Sequence, residues 1–150
     1  MTKAPRRAPL ILRDLDEAED AVRAGGLRLT AARRAVLAAL FAAEGPVSAE
    51  EIAAGLGGRV TATEISSVYR NLELLEQLGV VRHLHAGHGP GRYVLEAAGE
   101  CGYLACESCG AIVTLEGPRL EAVRGSVRAA SGFEPDLSHF PVVGRCARCG

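Results

Sequence analysis

Cys106-Glu107-Ser108-Cys109-Gly110 and, at the end of the chain, Cys146-Ala147-Arg148-Cys149-Gly150 decide how the second half of this sequence folds. Each is a Cys-x-x-Cys pair followed by glycine, so each offers two thiolates from one tight turn. Two such turns can close a tetrahedral S4 cage around Zn2+. Residues 110–145 lie between the pairs, enough for a strand, a helix and another strand. A metal there would staple the two ends of a small domain. The cage leaves no coordination position for a substrate, so its role is structural. One pair alone would read equally as a redox motif; the doubled pair favours zinc over a disulfide or a redox couple.

Outward from the cysteines, a strand leads into Cys106 and a second spans Ala111 to Glu116. Pro118 sits early in a helix reaching Ala130, with Leu120, Val123 and Val127 inward and Gly132 as its stop. A final strand, from about Phe133 to Gly144, delivers the last pair. Little apolar surface can be buried in so short a segment, so zinc and a partner subunit are expected to supply stability.

The first half has a different texture. Asp14 and Glu17 form a capping-box pair that opens a helix to Ala24, with Leu15, Ala18 and Val22 on one face. Thr30 caps a second helix through Phe41, with Val36, Leu37, Leu40 and Phe41 inward. Ser48 and Glu51 open a short helix carrying Ile52, Ala53 and Leu56 inward, stopped by Gly57-Gly58. Thr61 and Glu64 suggest a third box before a helix over 62–78, striped by Ile65, Val68, Leu72, Leu75 and Leu78. A hairpin follows: Val80 to His85 alternates, 86–91 turns and Arg92 to Glu96 returns. Three helices and a two-stranded wing make a winged helix-turn-helix, the helix over 62–78 being the recognition helix. Ser66 and Arg70 lie opposite its apolar stripe, with Ser67 and Tyr69 on the flanks. Arginine forks to phosphate or guanine, and tyrosine packs on thymine methyls or sugar.

The chain therefore reads as α+β: a basic arm over 1–13, a winged-helix DNA-binding domain over 14–96, a hinge at 97–100 and a small zinc-stapled α/β dimerisation domain over 101–150. Its 150 residues, 48% hydrophobic, fit one domain or two small ones. There is no Trp and only 4% aromatic content, so the cores must be aliphatic. A net charge of -1 announces no polyanion partner globally; any nucleic-acid surface must come from local clustering. The apolar run Pro9-Leu10-Ile11-Leu12 is too short for a signal peptide or a membrane span. The expectation is a cytoplasmic protein with reduced thiols, without a membrane partner or a small-molecule substrate. No βαβ pattern surrounds either cysteine pair, which argues against a thiol oxidoreductase or any other enzyme.

Several motifs occur in a specific order: Gly26-Leu27-Arg28-Leu29-Thr30 with Arg33, Ser48-Ala49-Glu50-Glu51-Ile52, Ser67-Val68-Tyr69-Arg70-Asn71-Leu72, Leu78-Gly79-Val80-Val81, then Cys106-x-x-Cys109-Gly110, and Gly132-Phe133 before His139 and the last cysteine pair. Together they resemble the ferric uptake regulator (Fur) family of metal-dependent bacterial repressors, over nearly everything from Asp14 onward. The resemblance implies a homodimer on double-stranded operator DNA, a C-terminal dimerisation domain and a regulatory metal site near the hinge. It places DNA contacts on Tyr69, Arg70, Arg28 and Arg33, beside which Ser67 lies.

The family's sensing pattern is broken here. Two histidines usual before the first cysteine pair are replaced by Cys101 and Tyr103, a usual carboxylate is Thr114, and a usual histidine is Pro46. Iron sensing is therefore not carried over. His83 and His85 stand at i and i+2 on one strand, so they leave the same face, with Leu84 turned to the core. With His88 and His139 they are all four histidines of the chain. The pattern resembles the nickel-responsive branch of the family, where the residues matching His83, His85 and His139 form a metal site bridging the two domains. Tyr93-Val94-Leu95-Glu96 resembles the zinc-uptake branch, with Glu96 at a ligand position. The expected regulatory set is His83, His85 and His139, with Cys101, Glu96 or His88 added and Glu116 as a further candidate. It would take a divalent metal, zinc or nickel ahead of iron or manganese. The competing readings are a redox-sensing regulator switched by Cys101 and a constitutive DNA-binding protein whose zinc is only a staple.

Overall fold

In the computed structural model, residues 8, 10–85, 89–96, 100–138 and 140–150 are described. By its contacts the chain divides into two compact units, Met1–His83 with Gly91–Ala98, and Leu84–Pro90 with Gly99–Gly150.

The first unit begins with α1 (Leu15–Ala24), capped by Asp14, whose side chain accepts the Glu17 N–H at 2.9 Å. The box is not reciprocal as expected. The Glu17 carboxylate turns one residue further back and takes the Arg13 N–H at 2.8 Å together with the Arg13 guanidinium. A flanking cation competes successfully for the acid. Thr30 caps α2 (Ala31–Ala42) by accepting the Arg33 N–H at 3.2 Å. Ala18 and Val22 of α1 and Val36, Leu37 and Leu40 of α2 are buried in one core. Glu19 ties the two helices together by accepting from Arg34 at 2.7 Å.

β1 (Val47–Ser48) and α3 (Ala49–Ala53) follow. Ser48 and Glu51 close a full capping box, Ser48 Oγ accepting the Glu51 N–H at 3.1 Å and Glu51 accepting the Ser48 N–H at 2.8 Å. After a single 3-10 turn at Leu56–Gly58 the chain reaches α4 (Ile65–Gln77). α4 starts later than the sequence suggests, and neither Thr61 nor Glu64 caps it. The approach is held by bonds back to the end of α3 and the turn after it: Thr63 N–H to the Ala53 carbonyl at 3.0 Å and Val60 N–H to the Gly55 carbonyl at 3.1 Å. Gly55 permits this crossing, because it lies at φ 82° and a Cβ there would stand 2.6 Å from the Val60 carbonyl oxygen. Ile65 consequently lies at the surface, while Val68, Leu72, Leu75 and Leu78 are buried as expected.

The wing is three-stranded, in order β1-β3-β2, with β2 spanning Val81–Leu84 and β3 Arg92–Leu95. The extra strand β1 pairs antiparallel with β3, Val47 opposite Tyr93 and Ser48 opposite Arg92. Two residues carry no alternation, so this strand left no local signal.

The second unit is a sheet ordered β5-β4-β6 with one helix: β4 (Cys101–Cys106), β5 (Ile112–Glu116), α5 (Gly117–Ser131) and β6 (Val142–Gly144). α5 has proline in its first turn and ends on Gly132 at φ 69°. The last strand is far shorter than the expected span from Phe133 to Gly144. Pro135 and Pro141 lack the N–H a ladder needs, and β6 begins directly after Pro141. It runs parallel to β4, with Leu104 opposite Val142 and Cys106 opposite Gly144. One core cluster is formed by the buried Leu115, Leu120 and Leu137, with Leu104 and Val123 packed against them, and Cys101, Tyr103 and Ala105 of β4 are also buried. Val127 is only half-buried, although expected inward. Val113, Val142 and Val143 stay exposed on the sheet. No helix among the described residues is long and apolar enough to cross a membrane.

Gly102 of β4 marks the tightest point of that core: a Cβ there would lie 2.9 Å from both Leu120 Cδ1 and Leu137 Cβ, whereas one at Gly144 would meet nothing within 4 Å. Gly102→Val should cost about 1–3 kcal/mol by overpacking. Gly144→Ala should stay within about 0.5 kcal/mol of the parent. Urea unfolding of the metal-loaded protein, followed by circular dichroism, measures both.

Candidate metal centre and nucleic-acid interface

The cysteine cage is built by two short turns of backbone. β4 delivers Cys106 into a tight turn closed by the Gly110 N–H on the Cys106 carbonyl at 2.9 Å and the Cys106 N–H on the Ala111 carbonyl at 2.8 Å. The terminal turn repeats the device, with Cys149 and Gly150 N–H groups on the Cys146 carbonyl at 2.9 and 3.0 Å. The turns are latched by the Glu107 N–H on the Gly144 carbonyl at 2.8 Å and by the Cys146 N–H on Cys106 Sγ at 3.3 Å. All four Sγ atoms lie within 4.8 Å of one another, and Cys109 and Cys146 Sγ are 3.7 Å apart. A tetrahedron with metal–sulfur bonds of about 2.3 Å has an edge of about 3.8 Å. A disulfide would need about 2.05 Å, and all five cysteines are free thiols.

The thiol acidities describe the same cage. Cys106 is pushed down to about 6, first by the Cys109 N–H and then by the Cys146 N–H, which point at its sulfur. Cys146 is lowered, first by the Arg148 N–H. Cys149 is pushed up to about 12 because the thiols of Cys146 and Cys109 crowd it. Without a cation the four cannot all ionise; a divalent ion reverses that. The donor set fits a soft, tetrahedral, closed metal site.

The first turns of α4 form the second site. Tyr69 is 44% exposed, and Ser66 and Arg70 are exposed beside it. Neither the Arg70 nor the Arg28 guanidinium pairs with a described residue, and Arg28 is also exposed. Arg33 is different from expectation. It is only 9% exposed, and its Nε donates to Asn71 Oδ1 at 2.9 Å while Nη1 donates to the Arg28 carbonyl. Asn71 in turn donates to the Ser67 carbonyl at 2.9 Å. Arg33 is thus a strut between α2, the Arg28 loop and α4, and its guanidinium is committed inside the unit. Sequence reasoning missed Asn71; its signal was a polar residue standing on the buried side between Val68 and Leu72. It also missed Glu50, which accepts the Tyr69 hydroxyl at 2.6 Å.

The regulatory candidates are not gathered in the same way. His83 is half-buried, its ring stacked on Tyr93 with centroids 4.5 Å apart and planes 3° off parallel. Gly91 makes the room: a Cβ there would lie 2.1 Å from His83 Nε2. His85, one residue past β2, is exposed. The Glu96 carboxylate is gripped by Arg82 at 2.8 and 3.2 Å and its side chain is only 8% exposed, so it is not an open ligand. Cys101 is 7% exposed and its thiol donates to Tyr103 Oη at 3.2 Å. Glu116 ends β5, exposed and opposite Cys101. His88 and His139 lie outside the described residues. Among the described residues, Cys106, Cys109, Cys146 and Cys149 are the one group of three or more potential ligands at coordination distance.

With this geometry in place, comparison with known proteins is informative. The sequence profile of the ferric uptake regulator family matches residues 24–140. The peroxide-responsive repressor PerR of Staphylococcus epidermidis is 25% identical over 136 residues, spanning 91% of this chain and 90% of its own. Helicobacter pylori Fur, described as having three functional metal binding sites, superposes with a TM-score of 0.69 at 24% identity, covering 93% of this chain and 96% of its own. Vibrio cholerae Fur gives a TM-score of 0.65 at 21% identity, covering 86% and 99%. These structural likenesses bear on the fold, which is that of an N-terminal winged helix followed by a small α/β domain. The profile spans both units, and the chain belongs to the ferric uptake regulator family, a family of transcription regulators and not of enzymes.

Proposed function

We propose that the protein is a metal-dependent transcriptional repressor of metal-homeostasis genes, acting in the cytoplasm as a homodimer on double-stranded operator DNA. The observation that carries this reading is the face of α4, where Tyr69 and Arg70, the latter paired with no described residue, stand exposed on a helix whose other side is sealed into a core. Arg28 extends that face, and Ser67 lies at its margin, tied to Asn71. The Arg33–Asn71 strut fixes the backbone beneath it. Homodimerisation is supported by the second unit, where Val113, Val142 and Val143 are left open on the sheet.

The S4 cage holds structural zinc: four thiolates at tetrahedral spacing favour it over harder ions. When bound, the metal supplies charge compensation and cross-linking. Cys106 to Gly110 and Cys146 to Gly150 supply the turns, and the N–H groups aimed at Cys106 stabilise its thiolate. A second, regulatory metal is taken by His83, His85 and His139, with Cys101 or His88 completing the set. Glu96 would join only by surrendering two bonds to Arg82, so imidazole and thiolate donors dominate. That supports zinc or nickel over iron or manganese. Metal binding then raises operator affinity by favouring the DNA-competent dimer, with a coupling of about 1–3 kcal/mol.

A second reading, a peroxide-responsive regulator, draws on the relatives of that name. The burial of Cys101 and its bond to Tyr103 weigh against a thiol switch at that residue.

Three outcomes are expected. Cys109→Ser should lose the tightly held zinc, measured by metal analysis after gel filtration, and with it stability on the order of 10 kcal/mol; a folded, dimeric, zinc-free variant would refute the structural role. Starting from protein carrying only cage zinc, titration with zinc, nickel, iron(II) or manganese(II) should raise affinity for a labelled operator about tenfold or more with one metal. His83→Ala with His85→Ala should abolish that response and leave the dimer intact. Anisotropy curves that coincide with the chelator control would point to constitutive binding, and release by mild peroxide alone to the redox reading.

A further inference from the structure

The first turn of α3 carries two adjacent carboxylates, and they serve different elements. Glu51 completes the capping box with Ser48 and also pairs with Arg92 of β3 at 2.8 Å. Glu50 instead reaches α4, where the Tyr69 hydroxyl donates to its Oε1 at 2.6 Å. That is a short, charge-assisted bond. It holds the Glu50 carboxyl below its ordinary range and the Tyr69 phenol above its own. Near neutral pH the acid is therefore ionised, the phenol keeps its proton, and the direction of the bond is fixed.

An anionic side chain on a face that meets a polyanion weakens binding. A second consequence follows from donor counting. A phenol has one proton to donate, and a phosphate oxygen can only accept. With its proton committed to Glu50, Tyr69 has no donor for the DNA backbone. What it can still offer is an acceptor lone pair and the ring edge. In the major groove these match the amino groups of adenine or cytosine and the methyl group of thymine.

We propose that Glu50 is a specificity-determining positioning residue: by taking the Tyr69 proton it makes Tyr69 a reader of base edges and not a phosphate anchor. This rests on the reading of α4 as the DNA-reading helix.

The test uses the full-length, metal-loaded dimer. A duplex enriched by it from a random-sequence pool is compared with a scrambled duplex of equal length, by anisotropy across a salt series, for the parent, Glu50→Ala, Glu50→Gln, Tyr69→Phe, Arg70→Ala and the Glu50→Ala/Tyr69→Phe pair. Both Glu50 and Tyr69 are exposed, so the folds should survive, as thermal melts will confirm. Glu50→Ala and Tyr69→Phe should each lower the ratio of selected to scrambled affinity about tenfold, and the double variant no further than either. Glu50→Gln still accepts the hydrogen bond but has no charge. It should tighten the selected and the scrambled duplex alike, about threefold, and leave their ratio at the parent value. The salt slope should be unchanged in Tyr69→Phe and reduced by about one in Arg70→Ala.

Multiplicative losses in the double variant, or an unchanged ratio in Glu50→Ala, overturn the proposal. So does a Tyr69→Phe that weakens both duplexes equally and lowers the salt slope. If no duplex is enriched, or if Arg70→Ala changes binding to neither duplex, the reading of α4 itself fails and takes the proposal with it; a working Arg70 beside an indifferent Glu50 separates the two failures.

Discussion

Four sulfur atoms held within 4.8 Å of one another are the constraint on which the second unit depends. Backbone N–H groups push one thiol down to about 6, while crowding by its neighbours pushes another up to about 12. Such a cage is electrostatically incomplete without a cation. The apolar burial among the described residues of this unit is modest: the cluster of Leu115, Leu120 and Leu137, with Cys101, Tyr103 and Ala105 buried on β4. On the proposed reading, a metal in the cage and a partner surface add to it. Burial that would ordinarily come from a hydrophobic layer is replaced by coordination at one end and by an open sheet at the other.

The first unit is stabilised in the opposite way. Its core runs continuously from α1 through α4 into the wing, and its polar contacts refine a structure that apolar packing already holds. Arg33 and Asn71 illustrate this. A buried guanidinium is costly unless its donors are satisfied, and here an amide and a backbone carbonyl satisfy it. The return is geometric: the loop carrying Arg28 and the helix carrying Tyr69 and Arg70 are locked to one another. Arg33 thereby contributes by holding the exposed Arg28, Tyr69 and Arg70 in place.

Much of this was legible in the sequence, because it is encoded locally. The capping box at Ser48 and Glu51, the apolar stripe of α4, the helix stop at Gly132 and the doubled Cys-x-x-Cys all depend on residues within a few positions of each other. The misreadings share the reverse property. β1 exists only because β3 passes beside it. The start of α4 is delayed by hydrogen bonds back to Gly55 and Ala53, and the Thr61–Glu64 signal is overridden. Glu17 chose Arg13, Glu96 chose Arg82 and Arg33 chose Asn71, and each choice involves a partner that periodicity cannot name. β6 was overextended, yet Pro135 and Pro141 were in plain view; the apolar run between them outweighed the missing donors. Cys101 could be read as an isolated thiol, but not as one buried against Tyr103.

α3 shows how local and distant demands meet in one turn of helix. Five residues are too few to hold a helix by propensity, since nucleation alone is unfavourable, and α3 spans only Ala49–Ala53. Acidic residues in the first turn help by facing the positive end of the helix dipole. That requirement alone would allow any pair of acids pointing into solvent. Instead Glu51 grips the wing through Arg92 and Glu50 grips α4 through Tyr69. The charges that make so short a helix viable are the same charges that fix the wing and the exposed tyrosine relative to each other. Stability of α3 and geometry of the exposed face of α4 are therefore linked: a substitution that removes these carboxylates altogether also loosens the turn that orients that face.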